Sequence, residues 1–204
     1  MGITLDFKVL FIIGLPIWIL VRVVLILKNC SKGQFSIKRE IVLNLFFVYI
    51  ICNIGITLFP LSIDWTGQYG NVSINVVPVF NTIKDVSMAS QQPEMHDFMI
   101  KFWIKNILGN MLLLFPFGLF LPILWKKFGN MKKTLLYSFL FTLGIEIIQL
   151  LSYYVGNNRS FDIDDLILNT FGAWIGYMFY KKIVLKLINK QFLDGIHRNV
   201  DYIK

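Results

Sequence analysis

Residues 146–177 read EIIQLLSYYVGNNRSFDIDDLILNTFGAWIGY. Two apolar runs flank a short polar segment, in which one Arg and three Asp fall within the seven positions 159–165. The whole chain is apolar: 56% of its 204 residues are hydrophobic and 16% are charged, and its mean hydropathy is +0.64. A soluble domain would have about 25% charged residues. The composition therefore indicates an integral membrane protein.

Five segments have the length and composition of transmembrane helices. A helix rises about 1.5 Å per residue, so about 20 residues cross the hydrocarbon layer. The predicted spans are Phe7–Leu27, Ile41–Pro60, Asn106–Trp125, Thr134–Tyr154 and about Asp165–Leu187. The predicted fold is an all-α bundle of about five transmembrane helices. The first segment is expected to be a retained span, because a cleaved secretory signal would need a basic start and a small-residue cleavage site.

The basic residues predict the orientation, since Lys and Arg are retained on the cytoplasmic side. They concentrate after the first span, between the third and fourth spans, and in the C-terminal tail: Lys28, Lys32, Lys38, Arg39, Lys126, Lys127, Lys132, Lys133, Lys181, Lys182, Lys186, Lys190, Arg198 and Lys204. The N-terminus is predicted outside and the C-terminus in the cytoplasm. One long extracytoplasmic connection, from Leu61 to about Lys105, joins spans two and three. Arg22 is expected to reach the cytoplasmic headgroups.

Three regions follow: an extra N-terminal helix with a basic connection (1–40), a main membrane domain (41–188) and a basic cytoplasmic tail (189–204). The net charge of +8 is explained by topology and by attraction to anionic lipid headgroups, without nucleic acid. Cys30 and Cys52 are expected to be free thiols. With only two His in the chain, the sequence predicts no zinc site of the His/Cys kind and no cofactor.

Polar side chains within the spans mark a candidate site. A carboxylate inside a membrane is costly, so Glu146 is expected to face the bundle interior and to have a partner or carry a proton; Arg159 is one candidate partner. Gln149 lies on the same helical face as Glu146. Asn106 and Asn110 lie one turn apart on the third span. Further along the chain, a single stripe on the fifth span contains Asp165, Asn169, Gly172 and Gly176, whose glycines predict close helix packing.

The charged cluster at 159–165 has alternative explanations. Asp162 or Asp164 can cap the start of the fifth helix. The whole set, with Glu146 and Gln149, can also be a buried network that serves packing specificity. A hard-cation site of Asp162, Asp164, Asp165 and Glu146 is chemically possible, but the D-x-D-D pattern is a weak signal. The Asn75–Ile83 part of the outer connection is expected to re-enter between helices, or to lie over the bundle as a short strand or interfacial helix.

At these residues the sequence resembles the VanZ-like family. Residues 146–177 match a closing motif of the form E-x-x-Q, R-S-F-D-x-D-D and N-x-x-G-x-x-x-G. NILGNMLLLFPFG (106–118) and INVVPVFNTI (74–83) are similar to two further segments of the family. The similarity covers roughly residues 45–180. It implies that these positions belong to the family's motifs: Glu146, Gln149, Arg159, Asp162, Asp164, Asp165, Asn169, Asn75, Pro78, Asn106, Asn110, Pro116 and Gly118.

The resemblance also implies a role. The founding member of the family lowers susceptibility to the glycopeptide antibiotic teicoplanin in Gram-positive bacteria. We therefore expect a multi-pass protein of the bacterial cell membrane, whose outward-facing polar pocket binds a membrane lipid, a lipid-linked envelope precursor or the antibiotic. The expected ligand-binding residues are Glu146, Gln149, Arg159, Asp162, Asp164, Asp165, Asn169, Asn106, Asn110 and Asn75.

Two other function classes stay open. An intramembrane hydrolase or transferase could use Glu146 as general base on a lipid-linked substrate, although the sequence has no Ser/His or Cys/His nucleophile pattern. A small carrier is less favoured, because the chain has no inverted repeat.

Overall fold

The computed structural model describes residues 2–31, 35–64, 74–77, 93–157, 159–187, 193, 196 and 197, with the backbone alone for 93–96. These residues are mostly helical. The main helices are α1 (Lys8–Ser31), α2 (Ile37–Leu58), α3 (Pro93–Leu124), α4 (Met131–Ser152) and α5 (Ile163–Phe179). Short 3-10 turns follow α3 and α4, at Lys126–Gly129 and Tyr153–Val155. A π-helical turn, Tyr180–Val184, and a last helical turn, α6 (Leu185–Leu187), continue α5.

Among the described residues, four helical segments are long and apolar enough to cross a membrane: Lys8–Ser31, Ile37–Leu58, Asp97–Leu124 and Met131–Val155. Each contains most of one predicted span, so the helices fit the predicted membrane protein. The fifth predicted span differs. α5 has 17 residues, and its helical path reaches Leu187 only through the π-helical turn. A fifth crossing therefore stays a prediction.

The third helix is longer than predicted. It begins at Pro93 rather than Asn106, so its first turns lie in the segment expected to be a loop. The added turns contain the charged residues Asp97, Lys101 and Lys105. Helix formation does not require an apolar sequence, however, and a helix of 32 residues spans roughly 48 Å, which is longer than the hydrocarbon layer. Its polar turns can therefore extend beyond the membrane.

Two small strand ladders, which an all-α prediction misses, gather three parts of the chain at one end of the bundle. β1 (Gly2–Leu5) pairs antiparallel with β2 (Leu61–Asp64), directly after α2. β3 (Ile74–Asn75) pairs parallel with β4 (Phe161–Asp162), directly before α5. The N-terminus and the connections α2–α3 and α4–α5 therefore lie on the same side, as predicted for the outer face. Of the Asn75–Ile83 segment, residues 78–83 lie outside the described residues.

The opposite end of the bundle joins the basic segments. Arg39 Nη1 donates to the Leu124 carbonyl at 3.2 Å and to the Ile196 carbonyl at 2.7 Å. His197 Nε2 lies 3.3 Å from the Pro122 carbonyl oxygen, and burial lowers the pKa of this imidazole. Leu193, Ile196 and His197 are all buried. The described part of the predicted tail therefore packs on the ends of α2 and α3.

Close contact between α3 and α5 forms the centre of the fold. A Cβ atom at Gly172 would overlap the Met111 carbonyl, and one at Gly176 would overlap the Phe115 carbonyl. From the other side, a Cβ at Gly118 would overlap the Ala173 carbonyl. The predicted close packing at Gly172 and Gly176 is confirmed. The adjoining core is largely aromatic and aliphatic, and its buried members are Leu114, Phe117, Leu121, Phe128 and Ala173.

The first helix lies at the edge of the bundle, and none of its residues is buried. Trp18 stacks on Phe47 with ring centroids 4.3 Å apart, and its Nε1 donates to Asn44 Oδ1 at 2.8 Å. Arg22 Nε and Nη2 donate to Glu40 Oε2 at 3.0 and 2.5 Å. The predicted reach of Arg22 to the headgroups is therefore wrong. A carboxylate on α2 neutralises the guanidinium within the protein. Both cysteines are free, as predicted.

Candidate functional site

A cavity of about 400 Å³ lies between α2, α3, α4 and α5, towards the end that carries the strand ladders. Its volume is in the range of small-molecule sites, about 300–1,000 Å³. The wall combines apolar, amide and charged side chains: Ile56, Thr57, Phe102, Lys105, Asn106, Gly109, Asn110, Leu113, Ile145, Glu146, Gln149, Arg159, Asp165 and Asn169. Two carboxylates and two cationic groups thus share one space within the apolar bundle.

Helix α4 contributes Glu146 and Gln149, which lie three residues apart on its inner face. Glu146 is 2% exposed, and its Oε2 accepts a hydrogen bond from the backbone N–H of Asp162 at 3.0 Å. Gln149 Nε2 donates to the Thr57 carbonyl at 2.9 Å. The predicted inward direction of Glu146 is confirmed. Its partner among the described residues is a backbone amide rather than Arg159.

Asp162 is the N-cap of α5. Its Oδ1 accepts hydrogen bonds from the backbone N–H of Asp164 and from Asn75 Nδ2, both at 2.9 Å. Burial raises the pKa of this carboxyl, while these two hydrogen bonds act in the opposite direction. The capping interpretation is confirmed for Asp162. Through this one residue, β3 is connected to α5 and to Glu146.

The polar stripe of α5 meets two other helices at the cavity. Asn110 Nδ2 on α3 donates to Asp165 Oδ1, and Asn169 Nδ2 donates to Thr142 Oγ1 on α4 at 2.9 Å. Asn169 is 2% exposed, and its Oδ1 is buried without a hydrogen-bond partner among the described residues. An unsatisfied buried acceptor is costly unless a water or ligand supplies a donor.

Arg159 precedes α5 and lies against the end of α2. Its Nη1 donates to the Thr57 carbonyl at 2.7 Å and its Nη2 to the Phe59 carbonyl at 3.1 Å. Both carbonyls lie at the C-terminal end of α2, where carbonyl groups lack an intrahelical donor, and the guanidinium supplies one to each. A guanidinium has five N–H donors. Among the described residues two of them are used in these contacts, which hold the group at the cavity wall.

A second, more open cavity of about 430 Å³ adjoins the first and shares Gln149, Arg159 and Asp165 with it. Its other lining residues are Pro60, Asn157 and Ser160. Asn157 is fixed in place because its side-chain amide exchanges hydrogen bonds of 2.7 and 2.8 Å with the backbone of Ser62. The polar space therefore continues from the bundle interior towards the strand-bearing end.

The structure brings together most of the residues that the sequence singled out. Seven line the first cavity: Glu146, Gln149, Arg159, Asp165, Asn169, Asn106 and Asn110. Asp162 and Asn75 lie behind this wall, and Asp164 contributes its backbone N–H to the cap. Pro78 lies outside the described residues. Within the described ranges, no group of three or more His, Cys, Asp or Glu side chains is arranged to hold a metal ion.

Sequence reasoning missed Lys105, Thr57 and Phe102 as wall residues. Helical periodicity could have identified Lys105 and Phe102, because positions 102, 105, 106, 109, 110 and 113 recur at helical spacing on one face of α3. Thr57 had none. It enters the site through its backbone carbonyl, which any residue would supply.

Comparison with known proteins identifies one family. The model of the family described as VanZ/LLP1 matches residues 46–187. The match begins within α2 and ends with α6, so it includes every residue of the cavity wall and excludes α1. No curated protein and no solved structure shows a significant match.

Proposed function

This chain belongs to the VanZ/LLP1 family, and we propose that it is a multi-pass protein of the bacterial cell membrane that binds an anionic envelope lipid or lipid-linked precursor. The proposed site is the cavity of about 400 Å³ between α2, α3, α4 and α5. In a Gram-positive host, occupancy or handling of this ligand would lower susceptibility to teicoplanin. The antibiotic itself is the other ligand to test.

The fixed guanidinium of Arg159 is the observation that supports this proposal most. A planar guanidinium matches the oxygen atoms of a phosphate or carboxylate, and charge-assisted hydrogen bonds are stronger than neutral ones. The two carbonyl contacts of Arg159 hold this group before any ligand arrives. Lys105 adds a second positive charge to the same wall. Neutral amides from Asn106 and Gln149 supply further hydrogen bonds without adding charge.

The distribution of basic residues supports an outward-facing site. Positive segments lie at the end of the bundle where Arg39 meets Leu124 and Ile196. The cavity lies towards the other end, beside the strand ladders. By the positive-inside rule the basic end is cytoplasmic, so the cavity faces the outer leaflet in the proposed orientation.

Teicoplanin susceptibility of a Gram-positive host tests the role. Glu146→Gln, Lys105→Gln and Asp165→Asn are expected to raise susceptibility towards that of cells without the protein. Lys101→Gln and Asp97→Asn are matched controls, because both residues lie on α3 outside the cavity wall, and they are expected to behave like the unaltered protein. Membrane levels must be equal. Unchanged resistance in all three cavity variants would show that the function does not require the cavity.

A second candidate function is a hydrolase or transferase that uses Glu146 as general base. The burial of this carboxylate beside a cavity favours it, since catalytic acids and bases are commonly desolvated. Purified protein incubated with labelled envelope lipids, with and without a divalent cation, separates the two functions. Product formation that Glu146→Gln abolishes would establish the enzyme. A bound but unaltered lipid would support the binding protein.

A further inference from the structure

The wall of the cavity is uneven in its exposure. Glu146 and Asn169 are each 2% exposed, and they form its deep polar side. Ile56 on α2 and Phe102 on α3 are 71% and 51% exposed, although both line the same cavity. The open side of the cavity in the described part of the chain therefore lies between α2 and α3, and its rim combines the apolar Ile56 and Phe102 with the exposed Lys105.

Two hydrogen bonds set the lower limit of this opening. Tyr49 Oη donates to the Leu113 carbonyl at 2.8 Å, and Asn53 Nδ2 donates to the same carbonyl at 3.0 Å. They hold α2 against α3 about one and two turns below Ile56. Closer to the strand-bearing end, the described part of the structure leaves open space beside Gly109. A Cβ atom added to Gly109 would have no neighbouring atom within 4 Å, although Gly109 lines the cavity.

In a membrane, apolar side chains at an opening determine what surrounds it. Ile56 lies on the outer surface of α2, which is long enough to cross the bilayer, so the α2 side of the opening faces lipid chains rather than water. A polar headgroup in the cavity could keep its acyl or prenyl chain in hydrocarbon only by passing it through this side. The second cavity, lined by Asn157 and Ser160, is polar and gives access from the aqueous end.

We propose that the gap between α2 and α3 above Leu113 is a lateral portal, and that the ligand is a phosphate-bearing lipid whose chain leaves the cavity past Gly109. This proposal rests on the proposed function and narrows its ligand class. The phosphate lies near Arg159 and Lys105.

Binding measurements on the purified full-length protein test the portal. The probes are phosphatidylglycerol, which carries phosphate, hydroxyls and acyl chains, and water-soluble glycerol phosphate, which has the same headgroup chemistry without chains. Gly109→Trp fills the portal. Gly144→Trp is the matched control, since Gly144 is also a helical glycine with open space around its Cβ position and lies outside the cavity wall. Gly109→Leu is a milder version of the first variant.

We expect Gly109→Trp to weaken phosphatidylglycerol binding roughly tenfold or more, which corresponds to about 1.4 kcal/mol, and to leave glycerol phosphate binding unchanged. Gly109→Leu should give a smaller loss in the same direction, and Gly144→Trp should bind both probes normally. Thermal unfolding must show that each variant is folded. Equal effects of Gly109→Trp on both probes, or no effect on either, would overturn the portal.

Failure of the portal is distinguishable from failure of the proposed site. Lys105→Gln removes a headgroup contact, so it should weaken both probes, while Lys101→Gln should weaken neither. If Lys105→Gln behaves as expected and Gly109→Trp does not, the site survives and the portal is wrong. If the unaltered protein binds neither probe, the proposed phosphate-lipid site is itself wrong, and the portal is rejected with it.

Discussion

At the scale of single residues, the ion pair between Arg22 and Glu40 is the contact for which the sequence gives the least signal. Its side chains are only 12% and 7% exposed, and removing one partner of a buried pair costs about 3–5 kcal/mol. We expect Glu40→Gln to lower the free energy of unfolding by about 3 kcal/mol, because Arg22 loses its counter-charge. Unfolding in mixed detergent micelles measures this change.

A double variant provides the control for that prediction. Arg22→Met combined with Glu40→Leu removes both charges, so it should be less destabilised than Glu40→Gln alone. The comparison needs Arg22→Met and Glu40→Leu as single variants as well. If their two losses of stability simply add in the double variant, the pair is not coupled and the prediction is wrong.

The carboxyl of Asp162 predicts a pH effect on stability. Its pKa is raised above the ordinary value of 3.8 by burial, so the folded protein binds this proton more tightly than the unfolded chain does. The contribution of Asp162 to the free energy of unfolding therefore falls as the pH rises from the ordinary value through the raised one. Asp162→Asn keeps a capping acceptor and removes this pH dependence.

Unfolding of the unaltered protein and of Asp162→Asn at pH 4 and pH 7 checks this prediction. The variant should gain stability relative to the unaltered protein between the lower and the higher pH. A constant difference between the two proteins, or one of opposite sign, would contradict the assigned direction of the pKa.

Much of the candidate site could be predicted at this scale, and the reason is energetic. Glu146, Asn110 and Asn169 are costly in a bilayer unless they face protein. Their presence in apolar runs therefore predicts that all three face the interior of the bundle. Their partners could not be predicted. Glu146 pairs with the Asp162 amide and Arg159 with backbone carbonyls, and the side-chain pattern gives no signal for backbone groups.

At the scale of helices and strands, the contact of α3 with α5 depends on glycines, whose lack of a side chain lets the two backbones approach each other closely. Gly172→Ala places a methyl group on the Met111 carbonyl. We expect a loss of stability of about 1–3 kcal/mol or more, as for other overpacked cores. A lower temperature of thermal unfolding in detergent would show it.

Gly144→Ala is the control for that substitution, because open space surrounds its Cβ position. This change should leave stability equal or raise it by up to about 1 kcal/mol, since Ala is the better helix former. Equal losses at both positions would mean that the contact with the Met111 carbonyl does not set the effect.

Helices were predictable from apolar length, whereas their ends and the strands were not. The start of α3 at Pro93 lies in a polar stretch that has no apolar periodicity to mark it. The two-residue strand Ile74–Asn75 is defined by its partner at Phe161–Asp162, which is distant in sequence. Such pairings depend on tertiary structure, so local sequence gives little signal for them.

At the scale of the whole molecule, the orientation can be tested by labelling with a membrane-impermeant thiol reagent. In a background with Cys30→Ser and Cys52→Ser, Ser160→Cys should react in intact cells, because Ser160 is exposed at the strand-bearing end. Lys132→Cys, exposed on the basic α3–α4 side, should react only after permeabilisation. The reverse pattern would place the cavity towards the cytoplasm.

Asp162 couples the strand-bearing end of the bundle to the cavity. Its side chain accepts a hydrogen bond from Asn75 in β3, and its backbone N–H donates to the Glu146 carboxylate at the cavity wall. A change in the position of β3 and a change in the position of that carboxylate therefore affect the same residue.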